Sequence, residues 1–497
     1  MKVMKMSKMN WTKEQEQAIL LENQNIIVSA GAGSGKTAVL TTRIIRKLKE
    51  GIRAQQLLVL TFTNAAAAEM KNRVLQKMKN DTDLVQRIPE VEQAYITTFD
   101  SFALSVVKKY HYLLGLTKEI HIIESSIMDL QAQEFLKEIF EEFYKSKDAD
   151  FLKMIDHFTI KDDQDLLNCL LTIHKKLDQK ADKSSYLQSY MQDFASQKKQ
   201  QQYIEEYYGF IQDHLQQVKP LFLTIIPYLK EDENQQLYFE LLNSKNYEKI
   251  YALLQNITPL KVQTEEIEIK ETKKQIDKLI KNLKSICIYS SIEQIKDSLE
   301  DAKSYEKVIV AILMQLDSYM QEYKMKYQAF EFVDIAKMAL SLVNQFPSVK
   351  ENLTNQFAEI LIDEYQDTND LQELFIQKIA RNNVYMVGDI KQSIYRFRNA
   401  NPDIFMHKYE NYKAHNGGIK IDLTNNFRSN KGIIDCINAL FSKLMTKEIG
   451  GADYMQGHTM NFGFLRYNEI QKEPTIEYIT YENEQKSQEE KNEKKNK

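Results

Sequence analysis

A glycine-rich segment near the start of the chain could hold the phosphates of a nucleotide. It lies between a β-branched run, 25–29, and a helical pattern, and it consists of Ala30, Gly31, Ala32, Gly33, Ser34, Gly35, Lys36 and Thr37. Glycines let backbone N–H groups point into such a loop, and the following helix adds the positive end of its dipole. Lys36 would reach the outer phosphates and Thr37 would be a ligand for Mg²⁺. The segment predicts nucleoside triphosphate binding, although Ala30 stands where the strict pattern has glycine.

An acidic pair follows a second apolar run, 360–362. Hydrolysis at a phosphate-binding loop needs one carboxylate to hold Mg²⁺ and another group to activate water. We therefore expect Asp363 to be a metal ligand and Glu364 to be the base. The same dipeptide is common at the start of helices, and the glycine-rich loop is what favours the catalytic interpretation.

A third run, 384–387, precedes a segment in which amide and aromatic residues lie close together. Gln392 comes just beyond this run, where its amide could sense a γ-phosphate. Tyr395, Phe397 and Arg398 lie in a stretch that begins one helical turn further on. Aromatic rings stack on bases of any sequence, so this segment predicts coupling of a nucleotide site to single-stranded nucleic acid. Core packing is the alternative for the two aromatic residues, and a solvent-facing position is the alternative for Arg398.

The elements that must position these residues are strands that alternate with helices. Short apolar runs occur at 25–29, 55–61, 94–97, 359–362 and 384–387, each before a turn and a helical pattern. Such alternation predicts an α/β fold with a parallel sheet. Between the third and fourth runs, apolar residues recur at helical spacing. From residue 116 to residue 387 the only glycine is Gly209. We therefore expect one sheet that is interrupted by a large helical insertion.

These segments together resemble the superfamily 1 DNA helicases of the UvrD/Rep/PcrA type, six of whose motifs occur here in the family's order. The resemblance implies a RecA-like fold of the P-loop NTPases and implies that the nucleotide is ATP with Mg²⁺. It also implies that Gln15 reads adenine, that Phe427 stacks on adenine, and that Gln392 and Arg428 contact the γ-phosphate. Gln392 and Arg428 complete the expected catalytic site with Lys36, Asp363 and Glu364. Gln15 and Phe427 belong, with residues 30–37, to the expected ATP-binding residues.

The same resemblance implies a set of contacts to DNA. Segment 61–70 looks like motif Ia and segment 97–102 looks like motif Ib, although Asp100 stands where the family usually has histidine. The implied DNA-binding residues are Thr63, Asn64, Phe99, Ser101, Tyr395, Phe397 and Arg398.

Within this family the chain is most similar to the AddA-type subunits of helicase–nucleases. The similarity rests on the four alanines at 65–68, on the residues of 387–398 and on the long insertion. It implies an ATP-dependent, 3′ to 5′ DNA helicase or translocase subunit for double-strand-break repair and recombination. The implied partners are single-stranded DNA, duplex ends and an AddB-type subunit.

The expected domain boundaries follow from these motifs. We expect a first RecA-like domain from 1–116 and 351–415, the helical insertion at 117–350, and an incomplete second RecA-like domain at 416–481. The charged segment 482–497 has the composition of a disordered tail. Segment 423–429 resembles the family's motif IV. Because no further motor motifs and no nuclease module follow it, we expect the N-terminal portion of such a subunit, without a nuclease site.

Two other functions are compatible with the residues alone. The first is a module that binds ATP and single-stranded DNA without motor activity, which fits the incomplete second domain. The second is a P-loop kinase for a small molecule, which would show no response to DNA.

Composition and the spacing of cysteines and histidines limit the class of protein. The 66 Lys and Arg residues nearly balance the 70 Asp and Glu residues, so total charge says nothing about partners. Cys169, Cys287 and Cys436 are widely spaced, which fits a reducing cytoplasm. No run of about 18 apolar residues occurs, so we expect no membrane association. The histidines have no ligand spacing, so we expect no structural metal.

Overall fold

The computed structural model describes residues 11–229 and 233–463. The chain divides into two compact units, one within Met1–Leu114 and Ile335–Lys497 and the other within Gly115–Asp334. The strands are β1 (Ile26–Ala30), β2 (Leu57–Thr61), β3 (Tyr95–Thr98), β4 (His121–Ile122), β5 (Ala329–Phe330), β6 (Glu359–Ile362), β7 (Val384–Gly388), β8 (Ile419–Leu423), β9 (Asn425–Asn426) and β10 (Asn461–Phe462).

The α-helices of the first half are α1 (Lys13–Leu20), α2 (Lys36–Lys49), α3 (Asn64–Lys79), α4 (Ile88–Glu92), α5 (Phe99–Lys109), α6 (Ser125–Ser146), α7 (Ala149–Phe158), α8 (Gln164–Leu177), α9 (Lys183–Ala195), α10 (Gln197–Ile225) and α11 (Glu233–Asn243). Those of the second half are α12 (Tyr247–Asn256), α13 (Ile267–Ile286), α14 (Ile292–Tyr327), α15 (Phe332–Gln345), α16 (Pro347–Gln356), α17 (Asp370–Ile379), α18 (Pro402–Lys413), α19 (Lys431–Leu444) and α20 (Lys447–Gly450). Among the described residues, no helix is long and apolar enough to cross a membrane.

The first unit is built on a parallel sheet of six strands in the order β3-β2-β6-β7-β1-β8. Every residue of β1, β2, β6 and β7 is buried, as expected for parallel strands covered on both faces. The predicted α/β fold with a parallel sheet is therefore confirmed. The loops that follow β1, β6 and β7 leave the sheet at the same edge, where ligands bind in open parallel sheets.

Strand β8 lies in this first sheet, which corrects one prediction. We expected residues from 416 onward to begin a second RecA-like domain. Instead β8 pairs with β1 in parallel, from Ile26 opposite Ile419 to Ala30 opposite Leu423. This pairing satisfies the backbone groups on the side of β1 that faces away from β7, so the strand completes the first sheet. The expected tail at 482–497 lies outside the described residues.

Local signals explain where the helices near the sheet begin. The Thr63 hydroxyl accepts a hydrogen bond from the Ala66 backbone N–H at 3.1 Å, which caps α3. The alanines that follow have the highest helix propensity of any residue. At the start of α17, Asn369 and Gln372 form a reciprocal capping box.

The second unit is helical apart from the short pair of β4 and β5. One core cluster includes Leu136, Ile312 and Leu316, and another includes Phe222 and Leu254. Helix α14 has residues in both clusters, so it runs through the cores of the whole unit. The insertion is shorter than the expected 117–350, because residues from 335 onward cluster with the first unit.

A buried polar cluster connects three helices of the second unit. The Lys183 ammonium donates to Asp178 at 3.1 Å and to Asp317 at 2.9 Å. The His174 ring nitrogens lie 3.7 and 3.6 Å from the same two carboxylates, an arrangement that the scattered histidines of the sequence did not indicate. Histidine and two aspartates could surround a metal ion. Here the Lys183 ammonium contacts both carboxylates and supplies the compensating charge.

Candidate functional site

The glycine-rich loop connects the end of β1 to the first turn of α2. Gly33 and Gly35 have φ angles of 73° and 85°, a left-handed conformation that glycine adopts without steric cost. A Cβ atom on Gly33 would also lie 2.8 Å from the Asn426 side-chain oxygen. Ser34 is buried, and its hydroxyl has no hydrogen-bond partner among the described residues. The loop therefore has the conformation of a phosphate cradle and a buried polar group facing no protein partner.

The acidic pair lies directly after β6, as the sequence predicted. The Lys36 ammonium contacts both carboxylate oxygens of Glu364, at 2.9 and 3.2 Å, so the loop lysine and the expected base are in direct contact. Glu364 has φ of 52°, a left-handed conformation that costs a non-glycine residue about 1–3 kcal/mol. Backbone strain of this kind clusters at functional sites.

Two carboxyl groups near Glu364 have raised pKa values. Burial raises the pKa of Asp363 to about 6, and the negative charge of Glu364 adds to the effect. The same two causes raise the pKa of Asp367 to about 6. Asp367 is buried, and its Oδ1 atom has no hydrogen-bond partner in the described part of the chain. Sequence reasoning missed Asp367, for which the only signal was a third carboxylate four residues after Asp363.

The donor set at this edge fits a magnesium ion. Mg²⁺ binds through carboxylates, hydroxyls and phosphate oxygens, and it keeps several waters. Asp363 and Asp367 supply carboxylate oxygens, and Thr37 supplies a hydroxyl in the first turn of α2. The assignment of Thr37 and Asp363 as metal ligands remains a prediction that this chemistry supports.

Gln392 lies in the segment that follows β7, the strand between β6 and β1. Its amide donates to the Asp389 carboxylate at 2.8 Å, and the Lys391 ammonium contacts the same carboxylate at 2.9 Å. Asp389 is fully buried and fixes the start of the segment. Contact of Gln392 with a γ-phosphate remains a prediction. In this structure the Gln392 amide is hydrogen-bonded to Asp389.

Asn426 fastens the segment that contains Arg428 to the glycine-rich loop. Its amide donates to the Ala32 carbonyl at 2.9 Å, and its side-chain oxygen accepts from the backbone N–H groups of Arg428 and Ser429, both at 2.8 Å. The Phe427 N–H donates to the Gly33 carbonyl at 2.8 Å. The structure thus holds Arg428 beside the loop. We did not single out Asn426 from the sequence, although asparagine commonly bonds to backbone groups two residues on.

The two residues expected to meet the adenine both contact the glycine-rich loop. Gln15 donates to the Ser34 carbonyl at 3.0 Å and accepts from the Thr12 N–H at 3.0 Å. An amide can donate and accept twice, so Gln15 retains capacity for a base. Phe427 is half-buried, and a Cβ atom on Gly463 would lie 2.6 Å from its ring. Adenine recognition by these two residues remains a prediction.

An aromatic cluster lies in the segment beyond Gln392. The rings of Phe62 and Tyr395 are 4.6 Å apart, and those of Tyr395 and Phe397 are 5.7 Å apart. The Arg398 guanidinium lies 5.5–5.9 Å from all three ring centroids. Phe397 is 77% exposed, so a large apolar ring faces solvent next to a cation. We missed Phe62, which adjoins Thr63 in the segment that resembles motif Ia.

The other residues expected to contact DNA divide into surface and core positions. Thr63 and Asn64 are exposed at the start of α3. Ser101 lies in the first turn of α5 and accepts a hydrogen bond from the Thr98 hydroxyl at 2.9 Å. Phe99 is buried and packs edge to face on Phe375 at 5.7 Å. A ring enclosed in the core has no face left for a base, so the predicted contact of Phe99 with DNA gains no support from its position.

Comparison with known proteins gives the family. The family model for the UvrD/REP helicase N-terminal domain matches residues 11–246 and 227–413. Bacterial proteins that are named as subunits of an ATP-dependent helicase/nuclease are similar over most of this chain. The protein from Thermoanaerobacter sp. (strain X514) is 33% identical over 91% of the chain, and the protein from Lactobacillus gasseri is 31% identical over 92% of it.

These relatives are longer than the chain. The matched region covers 41% of the Thermoanaerobacter protein and 42% of the Lactobacillus protein. The chain therefore spans about two fifths of the length of the curated relatives that it matches. The family match covers most of the chain, including the loop at Lys36 and the acidic residues after β6. The chain belongs to the UvrD/REP helicase family.

Proposed function

We propose that this chain is the ATP-binding motor portion of an AddA-type DNA helicase or translocase subunit. The observation that carries the proposal is the segment after β7. Within ten residues it holds Gln392, whose amide donates to Asp389, and three members of the aromatic cluster, Tyr395, Phe397 and Arg398. One short stretch of chain thus joins the amide that we expect to sense the γ-phosphate to groups suited to stacking on bases.

In this proposal the loop and the acidic residues bind and hydrolyse MgATP. Lys36 and the loop N–H groups hold the phosphates, while Thr37 and Asp363 hold the ion. Bound Mg²⁺ would neutralise negative charge that develops on the phosphates. Glu364 accepts a proton from the attacking water once Lys36 turns from its carboxylate to the phosphates. Gln392 and Arg428 contact the γ-phosphate, and Gln15 and Phe427 contact the adenine.

The relatives support the wider setting of the proposal. Their name describes one subunit of an ATP-dependent helicase/nuclease. By this likeness we propose that the chain acts on single-stranded DNA and duplex ends in double-strand-break repair, in the cytoplasm, beside an AddB-type partner.

The first test is ATP hydrolysis by the purified chain with and without single-stranded DNA. We expect DNA to stimulate hydrolysis and Lys36→Ala to abolish it, because the variant loses the ammonium that holds the phosphates. Binding of ATP and DNA without hydrolysis would instead support a binding module. Hydrolysis that does not respond to DNA would contradict the proposal and favour the kinase alternative.

A second prediction concerns the aromatic cluster. We expect Phe397→Ala to weaken binding of single-stranded DNA by about 5- to 150-fold, because stacking contributes about 1–3 kcal/mol per base. Fluorescence anisotropy with a labelled oligonucleotide measures this change. Tyr112→Ala, at another exposed aromatic position of the first unit, is the matched control and should leave the affinity unchanged. Equal affinities for the Phe397 variant and the wild type would remove the cluster from the DNA site.

A further inference from the structure

Gln366 lies between the expected base and the segment that follows β7. It is 2% exposed, and its side-chain amide donates to the Glu364 carboxylate at 2.9 Å. The oxygen of the same amide accepts from the Asp389 backbone N–H at 2.9 Å. Each end of one side chain therefore contacts a different part of the site.

The backbone of Gln366 makes a second connection to the segment that follows β7. The Ser393 hydroxyl donates to the Gln366 carbonyl at 3.2 Å. Asp389 in turn accepts from the Gln392 amide at 2.8 Å. A continuous path of direct hydrogen bonds thus runs from the Glu364 carboxylate to Gln392, and two residues beyond Ser393 the chain reaches Tyr395 of the aromatic cluster.

Gly388 makes this close approach possible. A Cβ atom at this position would lie 2.4 Å from the Gln366 side-chain oxygen and 3.1 Å from the Gln366 backbone nitrogen. The end of β7 therefore has room for Gln366 only because residue 388 has no side chain. An amide is suited to the place between the two partners, since it donates to a carboxylate at one end and accepts from an N–H at the other.

We propose that Gln366 is a positioning residue that couples the nucleotide site to the DNA-binding segment. Gln366 orients the Glu364 carboxylate and holds Asp389, so a movement of Glu364 or of segment 389–398 changes the other through this amide. This inference rests on the proposed function. Gln366 contacts neither ATP nor DNA in the proposal, and its effect is on the coupling between their binding sites.

The test measures this coupling directly and needs no hydrolysis. Single-stranded DNA affinity is measured by anisotropy with and without a non-hydrolysable ATP analogue and Mg²⁺. In the wild-type chain we expect the analogue to change DNA affinity by about 5- to 150-fold, the usual range for coupled sites. Gln366→Met keeps the length but loses all three side-chain hydrogen bonds, to Glu364, Asp367 and Asp389. In this variant we expect a change of less than about twofold.

Two further variants make the result specific. Gln377→Met is the matched control, because Gln377 is exposed on α17 and should keep wild-type coupling. Ser393→Ala removes one hydroxyl from a half-buried residue, and we expect it to reduce coupling without affecting the fold. If Gln366→Met does not fold, Ser393→Ala decides the question.

The outcomes separate this inference from the proposed function. Wild-type coupling in both Gln366→Met and Ser393→Ala would overturn the inference. Binding of analogue and DNA by the wild type without any coupling would overturn it as well, while leaving both binding sites in place. A wild-type chain that binds neither ligand would overturn the proposed function itself.

Discussion

Replacing Glu364 with glutamine lowers the rate constant of DNA-stimulated ATP hydrolysis by about 10²- to 10⁴-fold, the usual contribution of a general base. The amide has the shape of the carboxylate but cannot accept a proton from water. Its contact with Lys36 also loses a charge, so the lysine is freer to meet the phosphates. We therefore expect ATP affinity to be retained or increased, as measured by titration with a fluorescent ATP analogue.

A control variant and a second candidate for the general base make this prediction specific. Glu50→Gln alters an exposed carboxylate at the end of α2 and should leave hydrolysis unchanged. A Glu364→Gln rate within threefold of the wild type would show that another group activates water. Asp367 would then be the next candidate, because it is buried beside Glu364 and Lys36, and Asp367→Asn would test it.

The second large effect is on stability, at the buried ion pair of Arg43 and Glu359. Arg43 is fully buried, and its Nε donates to both oxygens of Glu359, at 3.1 and 3.2 Å. It also donates to the Ala18 carbonyl at 2.9 Å and lies 4.4 Å from the centre of the Tyr385 ring. Glu359→Ala leaves this guanidinium buried without a counter-charge. We expect the free energy of unfolding to fall by about 3–5 kcal/mol.

Urea denaturation followed by tryptophan fluorescence measures this change. The chain has one tryptophan, Trp11, which packs against the core of the first unit and so reports the unfolding of that unit. Glu50→Gln, which removes an exposed ion pair with Arg46, should cost no more than about 1 kcal/mol. A similarly small loss in Glu359→Ala would mean that Arg43 finds water or another partner. Replacing both residues by apolar ones should recover most of the stability.

The strands of the sheet could be predicted from the sequence because β-branched residues concentrate in short runs. Segment 359–362 coincides with β6, and 384–387 lies within β7. The position of β8 could not be predicted in the same way. A β-branched run indicates a strand but does not indicate which other strand it pairs with. Strand β8 pairs with β1, which is far away in the chain.

The site residues show a similar division. Lys36, Asp363 and Glu364 could be predicted because their chemistry depends on residue type and on position at the end of a strand. The sequence does not distinguish Phe99 from Phe397. The structure does, because the ring of Phe99 on α5 packs against Phe375 on α17 and is buried, whereas the ring of Phe397 is exposed.

Gln366 and Asp367 could not be identified because their importance comes from burial. A buried polar group must find a partner or carry a high free-energy cost, and the sequence shows neither its burial nor its partner. The contacts of Gln366 with Asp389 exist only because β6 and β7 are neighbours in the sheet.

The pairing of β2 with β6 affects how the chain folds during its synthesis on the ribosome. Arg43 and Glu359, which form the buried ion pair, are 316 residues apart in the chain. At about 5–20 residues per second, the N-terminal strands wait about 15–60 s for the partners that complete their sheet. Unpaired strand edges during such a delay favour aggregation. The helical unit that is synthesised in the meantime has core clusters of its own, so it can fold before the sheet is complete.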